Sequence, residues 1–195
     1  MDGALWYFAY GSNLDPGTFL GRRRMQPLAT RIGVLHDFAL RFDLPVGPGE
    51  RGVANVAPCP GDHVWGALYQ LTHAGAEQLD RTEGVDKGFY RRLEVAVRTP
   101  TATEIAAFTY RSDFSRPERR PSRRYLGLLL AGAREHGLPA EYIERLLSRI
   151  DSASRTPAPQ VGLGQASLLG SRRLAGTELR LGEELVALAV LPVAA

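Results

Sequence analysis

The chain has 195 residues, 44% of them apolar, with 24 basic and 21 acidic side chains and a formal net charge of +3. That length and composition suit one domain with its own core and argue against two domains or wholesale disorder. No run approaches the ~18 consecutive apolar residues of a membrane-spanning helix, and no basic segment leads into an apolar one as in a secretory signal. The single Cys59 has no internal partner for a disulfide, which suits a reducing cytoplasm. His36, His63, His73 and His136 are scattered, a poor pattern for a structural zinc site. Lys87 is the one lysine, and arginines cluster at 22–24 and again at 116, 119, 120, 123 and 124. Only Phe114 and Tyr125 flank the second cluster, fewer aromatics than a nucleic-acid groove interleaves with its basic residues. These runs read as solvated faces, with no nucleic acid and no membrane as partner.

In chain order, Leu5 to Tyr10 is a short aromatic and apolar run that predicts a buried strand. It breaks into Gly11-Ser12-Asn13, small residues that tolerate positive φ and expose backbone N–H groups. Asp15-Pro16 has the form of an N-cap followed by proline at the first helical position, with a short helix to Arg23. The loop therefore lies between a strand and a helix start, where consecutive N–H donors and the helix dipole favour an anion. The residues alone leave two readings: a plain turn, or an anion-binding loop.

Residues 31–35 and 38–43 predict two strands, 45–51 a loop, 52–56 a strand, 58–62 a turn, and 63–71 a strand apolar on both faces and hence central. Thr72 caps a helix that ends at Glu83-Gly84. Residues 90–97 and 105–110 pair as a hairpin, and Pro121-Ser122 opens a helix stopped by Gly137. Pro139-Ala140 opens another amphipathic helix through Ile150. Six or so short strands with few helices between them predict an α+β fold, a small mixed β-barrel flanked by helices. The catalytic domain is expected over 1–151. Residues 152–170 are rich in Ser, Pro, Gly and Gln and read as a linker, and two further strands near 178–181 and 185–190 complete a C-terminal extension over 152–195.

Glu83 is the candidate acid/base. A carboxylate at a helix C-terminus feels the negative end of the dipole, and partial burial pushes the same way, toward the raised pKa a general base needs. The alternative is a solvated glutamate finishing a surface helix. Ser12 is a poor nucleophile candidate, because it lacks the G-x-S-x-G elbow and has no histidine nearby in sequence.

Several motifs in one order resolve these alternatives. Phe8-Ala9-Tyr10-Gly11-Ser12-Asn13-Leu14 resembles the signature loop of the γ-glutamylcyclotransferase family. Pro60-Gly61-Asp62-x-Val64-Trp65-Gly66 is similar to the family's next conserved strand, and Leu79-Asp80-x-x-Glu83-Gly84-Val85-x-x-Gly88-x-Tyr90 to the segment holding its catalytic glutamate. Pro121-Ser122-x-x-Tyr125, Gly132-Ala133 and Gly137-Leu138-Pro139-x-Glu141-Tyr142 resemble its later helices. The resemblance implies an enzyme that closes a γ-glutamyl compound into 5-oxoproline and releases an amino acid or amine. Its α-amine attacks its own γ-carbonyl with Glu83 as base. The backbone of Gly11, Ser12, Asn13 and Leu14, with Tyr10, Tyr90, Tyr110 and Tyr125, contacts a small γ-glutamyl substrate. No metal, nucleotide or other cofactor is implied, and a homodimer is left open.

Two departures bear on the leaving group. Arg91 and Arg92 stand where the vertebrate members have apolar residues, and 116–124 is unusually basic. A γ-glutamylamine cyclotransferase, or a biosynthetic deglutamylase with a larger leaving amine, is the alternative enzyme. A carboxylate-binding member without catalysis would have lost Glu83.

Overall fold

The structure is a computed structural model and describes residues 3–46, 51–114, 117 and 119–154. Five strands close a mixed barrel in the order β1-β3-β2-β4-β5. They are β1 (Leu5–Ala9), β2 (Ala29–Val46), β3 (Arg51–Leu71), β4 (Arg91–Arg98) and β5 (Glu104–Arg111). Helix α1 (His73–Glu83) connects β3 to β4, and α2 (Arg123–Glu135) and α3 (Ala140–Ser154) follow the last strand. Closure comes from β1, which pairs antiparallel with β3 and parallel with β5 through Tyr7 and Phe108. The expected α+β barrel is therefore present, with 63–71 in its central strand.

The strand count differs from expectation. Residues 31–35 and 38–43 form one bent strand, and 52–56, 58–62 and 63–71 another. The bends are irregularities within the ladder rather than turns. Register shifts between His36 and Phe38, where Asp37 takes a φ of 60°, and its carboxylate accepts the Gly61 N–H at 2.9 Å across the ladder. The Pro58-Cys59-Pro60 segment, expected as a turn, continues β3. Strand β1 pairs only with the far end of β3, at residues 67–71, so the prolines occupy a stretch with β2 alone beside it. A missing N–H is tolerated on such an edge.

The signals for the three α-helices hold as read. Thr72 Oγ1 accepts the Gly75 N–H at 3.0 Å, and Gly84 ends α1 in the left-handed region with φ 65°. Val85 N–H returns to Asp80 O at 3.0 Å, completing a Schellman-type stop. Ser122 caps α2 by accepting the Tyr125 N–H at 3.1 Å. Helix α3 runs on to Ser154, into the stretch expected as a linker. The remainder of that linker and the two C-terminal strands lie outside the described residues.

The core joins the barrel to the helices through Phe8, Phe19, Leu68, Tyr69, Leu79 and Leu126, all at most 1% exposed. Phe19 stacks on Tyr69 with ring centroids 4.0 Å apart. Helix α2 comes so close to the loop after β1 that a Cβ on Gly132 would lie 2.3 Å from Leu14 O. Only glycine permits that contact, so α2 is a floor on which the loop rests. Among the described residues no helix is long and apolar enough to cross a membrane.

Candidate active site

The loop after β1 is a 3₁₀ turn over Ser12–Leu14. Leu14 N–H donates to Gly11 O at 2.9 Å, so Leu14 is not an available donor. The Gly11, Ser12 and Asn13 N–H groups have no hydrogen bond among the described residues, which narrows the four expected donors to three. Gly11 does not use positive φ either, since its φ is −103°. What it supplies is space: a Cβ there would sit 3.3 Å from the Tyr125 hydroxyl and 3.4 Å from Ala54 Cβ.

Beyond the turn, Asp15 caps the next segment as expected, accepting the Thr18 N–H at 2.7 Å and its hydroxyl at 2.8 Å. That segment is a π-helical turn over Gly17–Arg22, not an α-helix. Its wider winding carries the bond from Arg23 N–H to Thr18 O at 2.9 Å. Arg23 is turned inward.

Glu83 closes α1 with its side chain 11% exposed. Its Oε1 accepts the Asn13 side-chain amide at 2.8 Å and faces the Arg23 guanidinium at 3.1 Å. Asn13 Nδ2 also reaches the Tyr7 hydroxyl at 2.9 Å, and Asn13 Oδ1 is buried with no partner among the described residues. Glu83 Oε2 accepts no hydrogen bond among the described residues. One oxygen is thus clamped by an amide and a cation, and the other is left to meet whatever enters the site.

Tyrosines surround this carboxylate. Burial pushes the hydroxyls of Tyr7, Tyr10, Tyr90, Tyr110 and Tyr125 well above the ordinary phenol value, and the Glu83 charge pushes each the same way. All five stay neutral at physiological pH and act through their hydrogen bonds. Two are occupied internally: Tyr10 donates to Tyr110 O at 2.6 Å, and Tyr110 donates to Asp80 at 2.7 Å. The expected substrate contacts by Tyr10 and Tyr110 hydroxyl protons are therefore redirected into the fold. Tyr125 accepts from the Ala54 N–H at 3.0 Å, which leaves its own proton for an outside acceptor. The Tyr90 hydroxyl has no partner among the described residues.

Gly11, Asn13, Glu83, Tyr90 and Tyr125 lie in one region of the structure. Tyr7 and Arg23 join them. Neither was legible in the sequence, where Arg23 is one of three arginines in a row and Tyr7 part of a strand, because neither has a local pattern that points sixty or more residues ahead to a glutamate. Among the described residues, no group of three His, Cys, Asp or Glu side chains is placed to hold a metal ion.

The AIG2-like family matches residues 63–146. The chain is similar to the γ-glutamylcyclotransferase of Bos taurus, with 35% identity over 146 residues, 73% of this chain and 77% of that protein. It is 36% identical to the Homo sapiens γ-glutamylcyclotransferase, over 72% of this chain and 76% of the human one. A solved γ-glutamyl cyclotransferase structure superposes with a TM-score of 0.69 at 30% identity, covering 85% of this chain and 94% of the other. With relatives this similar over most of their length, around a buried glutamate and a Gly-Ser-Asn loop, the chain belongs to the γ-glutamylcyclotransferase family of enzymes.

Proposed function

We propose that this enzyme converts a small γ-glutamyl compound into 5-oxoproline and a free amino acid or amine, with Glu83 as the general acid/base. The observation that carries the reading is the asymmetry of that carboxylate, with Oε1 held by Asn13 and Arg23 and Oε2 open. The neutral α-amine attacks the γ-carbonyl carbon, a C–N bond forms, and the amine proton passes to Glu83 Oε2. The carbonyl electrons become an oxyanion. Collapse of that oxyanion breaks the original C–N bond, and Glu83 returns the proton to the departing amine. Ring closure to five members is intramolecular, so the enzyme's work is to hold the substrate folded and to move one proton.

The remaining groups suit the substrate's charges. The Gly11 and Asn13 N–H groups and the Tyr125 O–H form a cluster of donors without internal acceptors, fitted to the α-carboxylate or the developing oxyanion. Tyr90 adds an aromatic wall and a hydroxyl near the base. The cytoplasm is the compartment we assign, where Cys59 stays reduced.

A panel of γ-glutamyl-amino acids and γ-glutamyl-amines, assayed for 5-oxoproline with wild type beside Glu83→Gln, tests this. Release is expected from the wild type and about 10³-fold slower in the variant, the scale of a lost general base. The best substrate identifies the leaving amine. Equal rates in the two proteins would remove Glu83 from its role, and no product from any compound would remove the reaction.

A further inference from the structure

Of the three consecutive arginines, only the middle one is drawn into the molecule: the Arg23 side chain is 8% exposed. It is fixed to α1 at three points. Its NH1 donates to Thr82 O at 3.2 Å, its NH2 meets Glu83 Oε1 at 3.1 Å, and its own carbonyl accepts Gln78 Nε2 at 3.1 Å. The carbonyl of Thr82 is one of the last in α1, where backbone acceptors lack helical partners. A planar guanidinium can bridge that carbonyl and the adjacent carboxylate; a flexible ammonium serves one of them. Arg23 directly follows the π-turn over Gly17–Arg22, and its N–H closes that turn on Thr18 O at 2.9 Å.

We propose that Arg23 is a positioning residue for this reaction: its guanidinium holds Glu83 Oε1 as a permanent acceptor and balances the buried charge, so that the proton moves through Oε2. The proposal rests on the assignment of Glu83 as the base. During turnover Arg23 neither gains nor loses a proton. It keeps the carboxylate anionic before attack and holds its plane while Oε2 carries the proton between the two amines. Asn13, braced by Tyr7, provides the second bond to Oε1.

The other ionisable groups facing Glu83 do not balance its charge. They are Tyr7 and Tyr10 from the first strand and its end, Tyr90 before β4, Tyr110 from β5 and Tyr125 from α2, all held neutral. Asp80, one turn back on the same helix, is engaged by Arg92 and Tyr110. Removal of the Arg23 charge should therefore register on Glu83 itself.

Two readouts on Arg23→Gln and Arg23→Lys separate this from a purely structural staple. The first is the titration midpoint of the Glu83 carboxyl by carbon-13 NMR on the substrate-free protein, assigned with Glu83→Gln. The second is the pH profile of 5-oxoproline release. In Arg23→Gln the midpoint and the acid limb are expected to move up by about one pH unit or more. Its kcat should fall about 10²-fold with KM changed less than about 3-fold. Arg23→Lys should return the midpoint to near wild type and kcat to within about 10-fold. A folded Arg23→Gln with an unmoved midpoint overturns the proposal. If that variant does not fold, Arg23→Lys decides, and a midpoint raised by about a unit despite the retained charge overturns it equally. The NMR midpoint needs no turnover, so it judges Arg23 even if no γ-glutamyl compound is cleaved.

Discussion

Helix α1 presents two carboxylates to the barrel one turn apart, and their surroundings are opposite. Asp80 is saturated: Oδ1 accepts from Arg92 Nε at 2.8 Å and from the Tyr110 hydroxyl at 2.7 Å, and Oδ2 from Arg92 NH2 at 2.8 Å. Glu83 has its two contacts on one oxygen and, among the described residues, none on the other. A carboxylate with both oxygens in a bidentate arginine fork is a tether, because its lone pairs already have fixed donors. One with a free oxygen can accept a proton. Residue type and helix position do not separate the two; the distribution of donors does. Arg92 lies over the Phe108 ring at 4.3 Å while it grips Asp80. Its role here is to fasten α1 to the β4–β5 hairpin.

The largest expected effect sets these two against each other. Glu83→Gln keeps an oxygen for Asn13 and Arg23 while removing the base, so its loss of about 10³-fold in kcat should come with a modest drop in stability. Asp80→Asn should do the reverse. It breaks a part-buried, bidentate pair and is expected to cost about 1–3 kcal/mol, a fall of several degrees in Tm, with kcat lowered less than about 10-fold. Thermal melts and steady-state rates on the two variants check this. If Asp80→Asn lost as much kcat as Glu83→Gln at unchanged Tm, the assignment of tether and base would have to be exchanged.

What was legible in the sequence follows the range of the forces involved. The caps Thr72 and Ser122 and the stop at Gly84 are decided by neighbours within a few residues, and all appear as read. So does Glu83, whose position at a helix end is a local property. The division of 31–43 and 52–71 into separate strands failed, because Asp37 and Gly61 looked like punctuation when each is a bulge supported by the other across the ladder. The Glu83 clamp was hidden for the same reason. Asn13 lies seventy positions from Glu83 in sequence, and only barrel closure brings the loop and the helix end together. Arg23 carried no local mark, since it follows a π-helical winding that no periodicity in Gly17–Arg22 announces.

A smaller effect sharpens the contrast through the tyrosines that accompany each carboxylate. The Tyr110 hydroxyl belongs to Asp80, whereas the Tyr90 hydroxyl, near Glu83, has no hydrogen-bond partner among the described residues. Tyr110→Phe should lower stability by about 1 kcal/mol, the worth of one hydrogen bond, with kcat/KM within about 3-fold of wild type. Tyr90→Phe should leave Tm within about a degree and reduce kcat/KM by about 10-fold, since it removes no bond from the fold. Paired melts and rates decide it. A Tyr90→Phe protein that is destabilised but fully active would make Tyr90 a packing residue.

The smallest expected effect concerns the floor beneath the loop. His136 at the end of α2 lies 2.8 Å from the Tyr69 hydroxyl, near the Leu14 backbone. Burial lowers its imidazole below the ordinary value of 6.5, outweighing the upward push of the Leu14 backbone and of nearby Glu135 and Asp15. A lowered folded value means that the unfolded chain takes up its proton first as pH falls. The neutral ring's contribution is thus complete above about 6.5 and diminishes as pH drops from there toward the folded value. Wild-type stability should therefore decline more steeply over that acid window than that of His136→Gln, which has no proton to gain. Denaturant melts of both proteins at a series of pH values measure the difference in slope. Parallel curves would show that the ring takes up its proton alike in the folded and unfolded states. The loop would then be held by the Gly132 contact alone, and the pH response of catalysis would have to originate on the Glu83 side of the turn.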